Sequence, residues 1–330
     1  MPDSTGAVAP VLPEVRPIAS APLVSAPFAT AMEEIGREHP DVVVLSADLS
    51  KYTDVAPFAR AFPDRFFQVG MAEQNMRGIA GGLAKTAFTP VAVTYAVFAT
   101  RRAGEQVQMA LATSGHTSAV IAAFLPGLTT PFRATHQATD DLAIMRAVPG
   151  MTVIDPMDAT ELAESIKAAV TAGGPVYLRA QRGDVPAILA PPSGFVIGRS
   201  VLLRDGGDAG IIGTGLGSQW AIEAAERLAA SGVQAAVLHV PTIKPLDSEA
   251  IAGFAARFPA VTTVENHSVI GALGSAVCEV VAGAGIACRV SRRGVPDRWA
   301  PAGPLDYLRR SLGLDAESLA TAVAASAGGR

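Results

Sequence analysis

The chain has 330 residues, 49% of them hydrophobic and 17% charged. That is globular composition rather than disordered polymer, and the length suggests about two domains. With 26 basic and 30 acidic side chains the net charge is -4, which argues against the basic face that nucleic acid or a membrane surface requires. Two cysteines and five scattered histidines exclude a disulfide framework, a cysteine-ligated metal and an HExxH helix, and no metal ligand is expected in this chain.

Near the start, Pro2, Pro10, Pro13, Pro17, Pro22 and Pro27 break any continuous apolar helix, and no basic start precedes an apolar run. Residues 1–26 read as a flexible arm on a soluble, cytoplasmic chain. The apolar region 88–99 is interrupted by Thr89, Pro90 and Thr94, well short of the ~20 apolar residues of a membrane span. Strand and helix patterns then alternate. Pro27 suits a first helical position, with a helix over 28–38. Val42-Val43-Val44-Leu45 is a strand buried on both faces. A helix is predicted over 54–62, a strand over 65–69, a helix over 73–86, a strand over 90–94, a helix over 100–112 and a strand over 118–124. A loop runs to about residue 138, followed by a helix over 139–147, a strand over 152–154, a helix over 159–172 and a strand over 176–178. Such alternation predicts a parallel sheet with helices on both faces.

The stretch 181–195 turns to Pro, Gly and Ser and marks a boundary. A second series follows, with strands over 209–212, 235–240, 260–264 and 288–290, helices over 218–230, 247–258 and 271–281, and two closing helices from Pro304 and Asp315. The fold class is α/β, with two doubly wound domains at 27–185 and 206–330 joined by a linker at 186–205.

Single motifs say little. Gly213-Thr214-Gly215-Leu216-Gly217 follows a strand and opens a helix, but its third glycine comes too early for a dinucleotide fingerprint and no acid follows in the next strand. It reads as a tight turn. Glu73 alone would be a first-turn acid complementing a helix dipole; Phe98 alone would be core, and His136 a solvated loop residue. In combination they are specific. Ser46-Ala47-Asp48-Leu49-Ser50, Gly70-Met71-Ala72-Glu73-Gln74-Asn75-Met76, Phe98-Ala99-Thr100-Arg101-Arg102, Ala134-Thr135-His136-Gln137, Pro241-Thr242-Ile243-Lys244-Pro245-Leu246 and Val264-Glu265-Asn266-His267-Ser268 occur in this order. This series resembles the C-terminal half of transketolases, particularly those encoded as two subunits, over roughly residues 28–325.

The resemblance implies thiamine diphosphate as cofactor, a pyrimidine-binding first domain and a transketolase C-terminal second domain. Glu73 would hydrogen-bond N1′ of the aminopyrimidine and so activate the thiazolium carbon. Phe98 would pack on the pyrimidine ring and Tyr95 would line the same pocket. Asp48 would lie near the cofactor. His136 would meet sugar hydroxyls or a developing alkoxide, and Arg182 a sugar phosphate. The catalytic pair is then Glu73 and His136.

Departures from the family bear on specificity. Sugar-active relatives carry a histidine where Phe124 stands, and a Gly-Glu-Asp-Gly loop before Thr-His-Gln. Here that loop reads Thr130-Pro131-Phe132-Arg133, with Phe132 in place of a substrate-contacting aspartate and Arg133 in place of glycine. An apolar wall cannot read a hydroxyl as an acid does, so an altered substrate is expected, either a modified sugar or a less hydroxylated keto acid whose charged end meets Arg133.

The Gly-Asp-Gly motif that anchors Mg²⁺ and the diphosphate is absent; the nearest strings are Gly207-Asp208-Ala209 and Arg182-Gly183-Asp184. The expectation is an N-terminal partner subunit carrying that motif and the Mg²⁺, assembled as an α2β2 heterotetramer. Two alternatives stand beside it. One is a carboligase or a 2-oxo acid dehydrogenase β-like subunit acting on a keto acid. The other is a non-catalytic scaffold subunit, against which the presence of both Glu73 and Phe98 argues.

Overall fold

A computed structural model describes residues 12–114 and 118–328 of the protein. Its strands are β1 (Leu23–Ser25), β2 (Val42–Ser46), β3 (Phe66–Gln68), β4 (Thr89–Tyr95), β5 (Ala119–Phe124), β6 (Thr152–Ile154), β7 (Pro175–Ala180), β8 (Asp184–Pro186), β9 (Val201–Arg204), β10 (Ala209–Gly213), β11 (Ala235–His239), β12 (Thr242–Lys244), β13 (Ala260–Ser268) and β14 (Arg289–Val295). One sheet has the order β12-β6-β7-β5-β4-β2-β3 and a second β14-β13-β10-β11-β9. Both are parallel except at one edge, where β12 and β9 run antiparallel to their neighbours. This is the α/β architecture with two wound units that the alternation predicts.

The burial follows from sequence periodicity. In the helix Pro27–Glu38, Phe28, Ala31, Met32 and Ile35 are buried, the i, i+3, i+4, i+7 spacing of one helical face. They pack on one side of the first sheet with Val42, Val44, Phe124 and Leu178. The opposite side of that sheet, with Leu45, Ile121 and Tyr177, shares one apolar layer with Ile212, Leu238 and Val277 of the second unit. Alternation along β10 sends the neighbouring Ile211 into a third layer with Trp220 and Leu228. The two units are therefore cemented through a common core.

Several expectations change. Residues 12–26, read as a flexible arm, are paired: β1 runs antiparallel to β8, and Arg16 N–H donates to Ile188 O at 2.8 Å. Residues 1–11 of that arm lie outside the described residues. The start of the segment read as a linker is correspondingly packed, because Ala187, Ile188 and Leu189 are apolar and buried. β12, in the second unit by sequence, completes the first sheet by pairing with β6. The continuous helix expected over 100–112 is broken into π-helical turns at Phe98–Arg102 and Val107–Leu111 around a short α turn at Gly104–Gln106. Thr100 Oγ1 donates to Ala96 O at 2.8 Å, a back-bond of the kind that bends helices. Cys278 and Cys288 are half-buried and free. Among the described residues no helix is long and apolar enough to cross a membrane.

Buried polar groups join the units. Arg179, on β7, donates to Asp141 at 2.5 and 2.8 Å, to Asp155 at 3.3 Å and to Asn266 O at 3.3 Å. Asn266, on β13, donates to Pro126 O and accepts from Leu128 N–H. Gly127 adopts φ +58°, and a Cβ there would overlap Asn266, so only glycine permits this approach. Burial pushes the Asp141 carboxyl upward, yet Arg179, with help from His267 and Tyr177, holds it below its ordinary value. Removing one partner of such a pair leaves the other charge buried and uncompensated. Asp141→Ala should cost about 3–5 kcal/mol of unfolding free energy, measured by urea denaturation; a loss below about 1 kcal/mol would show that the network is dispensable.

Candidate active site

The residues singled out from sequence gather at the C-terminal ends of the parallel strands. Asp48 follows β2, Glu73 follows β3, Tyr95 ends β4 with Phe98 just beyond, Phe132 to His136 lie in the loop after β5, and Arg182 follows β7. Ligands of open α/β sheets bind along this edge, where the connecting loops diverge.

Glu73 is the first residue of the helix Glu73–Leu83 and is 2% exposed. Burying a carboxylate requires compensation. Arg102 Nη1 supplies it, donating to the two carboxylate oxygens at 3.0 and 2.8 Å. Arg102 also lies over the Phe98 ring, 4.1 Å from its centroid. One turn along the helix, Arg77 is fully buried; Nη1 donates to Ala92 O at 3.0 Å, while Nε and Nη2 have no hydrogen-bond partner among the described residues. Burial lowers its pKa to about 10, partly offset by the charges of Tyr177 and Glu73. Glu73 is therefore hydrogen-bonded to one cation, Arg102, and interacts electrostatically with a second, Arg77.

Tyr95 and Phe98 stack with centroids 5.8 Å apart at 30°. The His136 ring meets both, at 6.1 and 5.5 Å, and meets Phe132 at 5.2 Å. Its Nδ1 pairs with Thr135 Oγ1 at 3.0 Å. Phe132 is 61% exposed and forms the outer wall. Arg133 is exposed and takes φ +49°, so an arginine holds a backbone conformation that favours glycine. Arg182 lies over Tyr52, and burial raises the Tyr95 phenol, an effect that Arg182 opposes through its charge and a side-chain hydrogen bond. Glu73, Tyr95, Phe98, Phe132, His136 and Arg182 thus border one region, with Arg133 on its rim.

Two expectations differ. Phe124, expected to meet substrate, is fully buried against Phe28, edge to face at 5.1 Å. Strand alternation places it with Val120 and Ala122 on the side of the sheet packed by the helix Pro27–Glu38. Asp48 is exposed in a left-handed turn, φ +60°, whose N–H donates to Gln68 Oε1 at 2.6 Å. Its carboxylate has no described partner among the aromatic residues.

The roles of Arg101 and Arg102 are not legible in the sequence motif that contains them. Arg101 clamps the loop that bears His136: it donates to both Asp140 oxygens at 2.8–3.1 Å and to Ala134 O at 2.8 Å. Trp299 of the second unit lies under the Arg101 guanidinium at 5.2 Å. Gln137 Nε2 donates to Pro301 O at 3.2 Å, and Gly303 N–H to Pro131 O at 3.2 Å, so the second unit braces this loop as well. Glu265 of the Val264-to-Ser268 motif is a helix cap, accepting from Leu273 and Gly274 N–H at 2.9 and 3.0 Å; burial pushes it up to about 8 against those bonds. A chain from Ser218 through His239 to Glu161, at 2.6 and 2.9 Å, has the connectivity of a nucleophile relay. All three side chains are buried and Glu161 also caps Met157 N–H, so the relay is a tie between the units. Arg101→Met should free the His136 loop, with amide exchange at 134–137 faster by on the order of 10-fold. Unchanged exchange by mass spectrometry would show that the second unit holds the loop alone.

Residues 21–187 match the model of the transketolase pyrimidine binding domain, and residues 198–319 that of the transketolase C-terminal domain. An uncharacterized transketolase family protein, y4mN, of Sinorhizobium fredii is 44% identical over 90% of this chain and 86% of its own length. The 6-deoxy-6-sulfo-D-fructose transketolase subunit SqwH of Clostridium sp. is 38% identical over 88% and 89%. A split gene transketolase, solved as an inactive beta4 tetramer, superposes with TM-score 0.84 at 40% identity, covering 91% of this chain and 97% of that one. The chain belongs to the transketolase family and carries its pyrimidine-binding and C-terminal domains.

Proposed function

We propose that the chain is the C-terminal subunit of a thiamine-diphosphate-dependent transketolase, moving a two-carbon ketol unit from a ketose donor to an aldose acceptor. The observation that carries this reading is a buried carboxylate, Glu73, opening onto stacked aromatic rings at the sheet edge. The fit to the cofactor's aminopyrimidine rests on the same place: a planar nitrogen donor, the Arg102 guanidinium, lies on Phe98 and bonds Glu73. A flat heterocycle with a ring nitrogen asks for the same two contacts.

In this reading Glu73 accepts a hydrogen bond from the ring nitrogen, and Phe98 and Tyr95 hold the ring's face. Asp48 lies farther along the same edge. His136 bonds a sugar hydroxyl or the oxygen that gains charge during carbonyl addition, while Arg182 meets a phosphate. The chemistry the cofactor supplies is a carbon nucleophile and an electron sink. The chain's contribution is placement, charge complementarity and exclusion of water. A separate N-terminal subunit would hold the diphosphate and Mg²⁺, in an α2β2 assembly in the cytoplasm.

Phe132 and Arg133 tune the substrate. Phe132 walls off His136 with an apolar ring where a hydroxyl-reading acid is expected, and Arg133 adds a cation at the rim. A modified sugar with an anionic end suits both, and the similarity to a subunit named for a sulfosugar supports it. A second reading, a carboligase using a keto acid, draws on the same apolar wall. It also draws on 36% identity to the 1-deoxy-D-xylulose-5-phosphate synthase 1 of Geobacter sulfurreducens, of which this chain spans about half.

Glu73→Ala in the reconstituted complex should lower turnover by about 10²–10⁴-fold without loss of assembly by size-exclusion chromatography. Retained turnover would overturn the catalytic reading and favour the scaffold. Phe132→Asp should shift kcat/KM toward ordinary ketose phosphates by roughly 10-fold or more, measured against pyruvate as rival donor. Pyruvate consumption by the native complex, with no ketose turnover, would establish the carboligase instead.

A further inference from the structure

We propose that Arg102 is an internal stand-in for the cofactor's aminopyrimidine ring, seated in the free chain where that ring must go and displaced when the cofactor loads. The inference rests on the reading of Glu73 and Phe98 as the pyrimidine seat. Three observations bring it together. The guanidinium is flat and lies 4.1 Å from the Phe98 centroid, the contact an aromatic heterocycle would make. Its Nη1 donates to both oxygens of Glu73 at 3.0 and 2.8 Å, the contact a ring N–H would make. The side chain is 48% exposed while Glu73 is 2% exposed, so the arginine can swing into solvent and the carboxylate cannot follow.

The arrangement answers a physical need of an unloaded subunit. A carboxylate this buried and unpaired is costly, and Arg77, the other nearby cation, makes its one bond elsewhere, to Ala92 O. Arg102 keeps Glu73 paired until the ring takes its place. The protein is then a two-state device whose ring-competent state is a fraction of the population, and the observed affinity is reduced by that fraction. An arginine that instead attracted the cofactor would act with the opposite sign, since its removal would weaken binding.

The test uses the full-length chain and a neutral probe, 4-amino-5-hydroxymethyl-2-methylpyrimidine, so that the diphosphate's charge plays no part. Binding is followed by ligand-observed NMR up to millimolar probe for the native chain, Arg102→Ala, Arg102→Lys and Glu73→Ala. Arg102→Ala should bind the probe about 10-fold more tightly than the native chain. Arg102→Lys, which keeps the counter-charge but not the flat group, should also bind more tightly. It decides the matter if the alanine variant proves unstable. Arginine variants that bind equally or more weakly, while Glu73→Ala loses binding, would overturn the stand-in and leave the seat intact. Glu73→Ala binding like the native chain, or no binding by any form, would overturn the seat and the stand-in together.

Discussion

A single buried arginine organises the junction on which the site depends. Arg179 sits in β7 with almost no exposure, between Asp141 of one helix and Asp155 beyond β6, and also donates to the backbone of Asn266 in the second unit. Burial would lower the Arg179 pKa, but the charges of Asp141 and Asp155 and the hydrogen bond to Asp141 raise it instead. Isolated, any of these charges would be costly in the interior; together they are compensated, and the bond to Asn266 O ties β7 to β13. Tyr177 adds a phenol donor to Asp141 at 2.6 Å and is pushed well up by burial and that neighbour. The network specifies geometry where apolar packing alone would permit sliding.

From that junction the constraint passes outward to the loop that carries His136. Asn266 grips its beginning at Pro126 and Leu128, Ser268 N–H donates to Thr139 O at 2.8 Å at its end, and Gln137 reaches Pro301. Arg101 ties its middle to the π-helical turn after Phe98. The histidine thus belongs to the first unit by sequence and is placed by both. The order of the motifs along the chain reflects this: the Glu-Asn-His segment far downstream holds the upstream loop in shape.

The Glu73 side of the site follows a different logic. There the carboxylate is held by helix position and burial, and its partner is a half-exposed arginine rather than a buried network. The His136 loop is thus braced by many bonds from both units, whereas Glu73 relies on one half-exposed partner.

Much of this was legible in the sequence. Strand runs such as Val42 to Leu45 and helix faces such as Phe28, Ala31, Met32 and Ile35 follow from local periodicity, while Glu73, Tyr95, Phe98, His136 and Arg182 stand out through the resemblance of their motifs to those of transketolases. What the sequence could not determine depends on contacts between distant residues. Phe124 faces Phe28 because strand parity, set by sheet packing, turns it inward. β12 joins the first sheet because β6 offered a free edge. The arm around β1 is paired because β8 lies beside it. Arg102 finds Glu73, and Arg179 finds two aspartates, only when loops and strands separated by tens of residues converge. Local propensity acts within a turn or two of helix, whereas charge pairing, sheet edges and burial are properties of the assembled chain, and tertiary structure alone decides them.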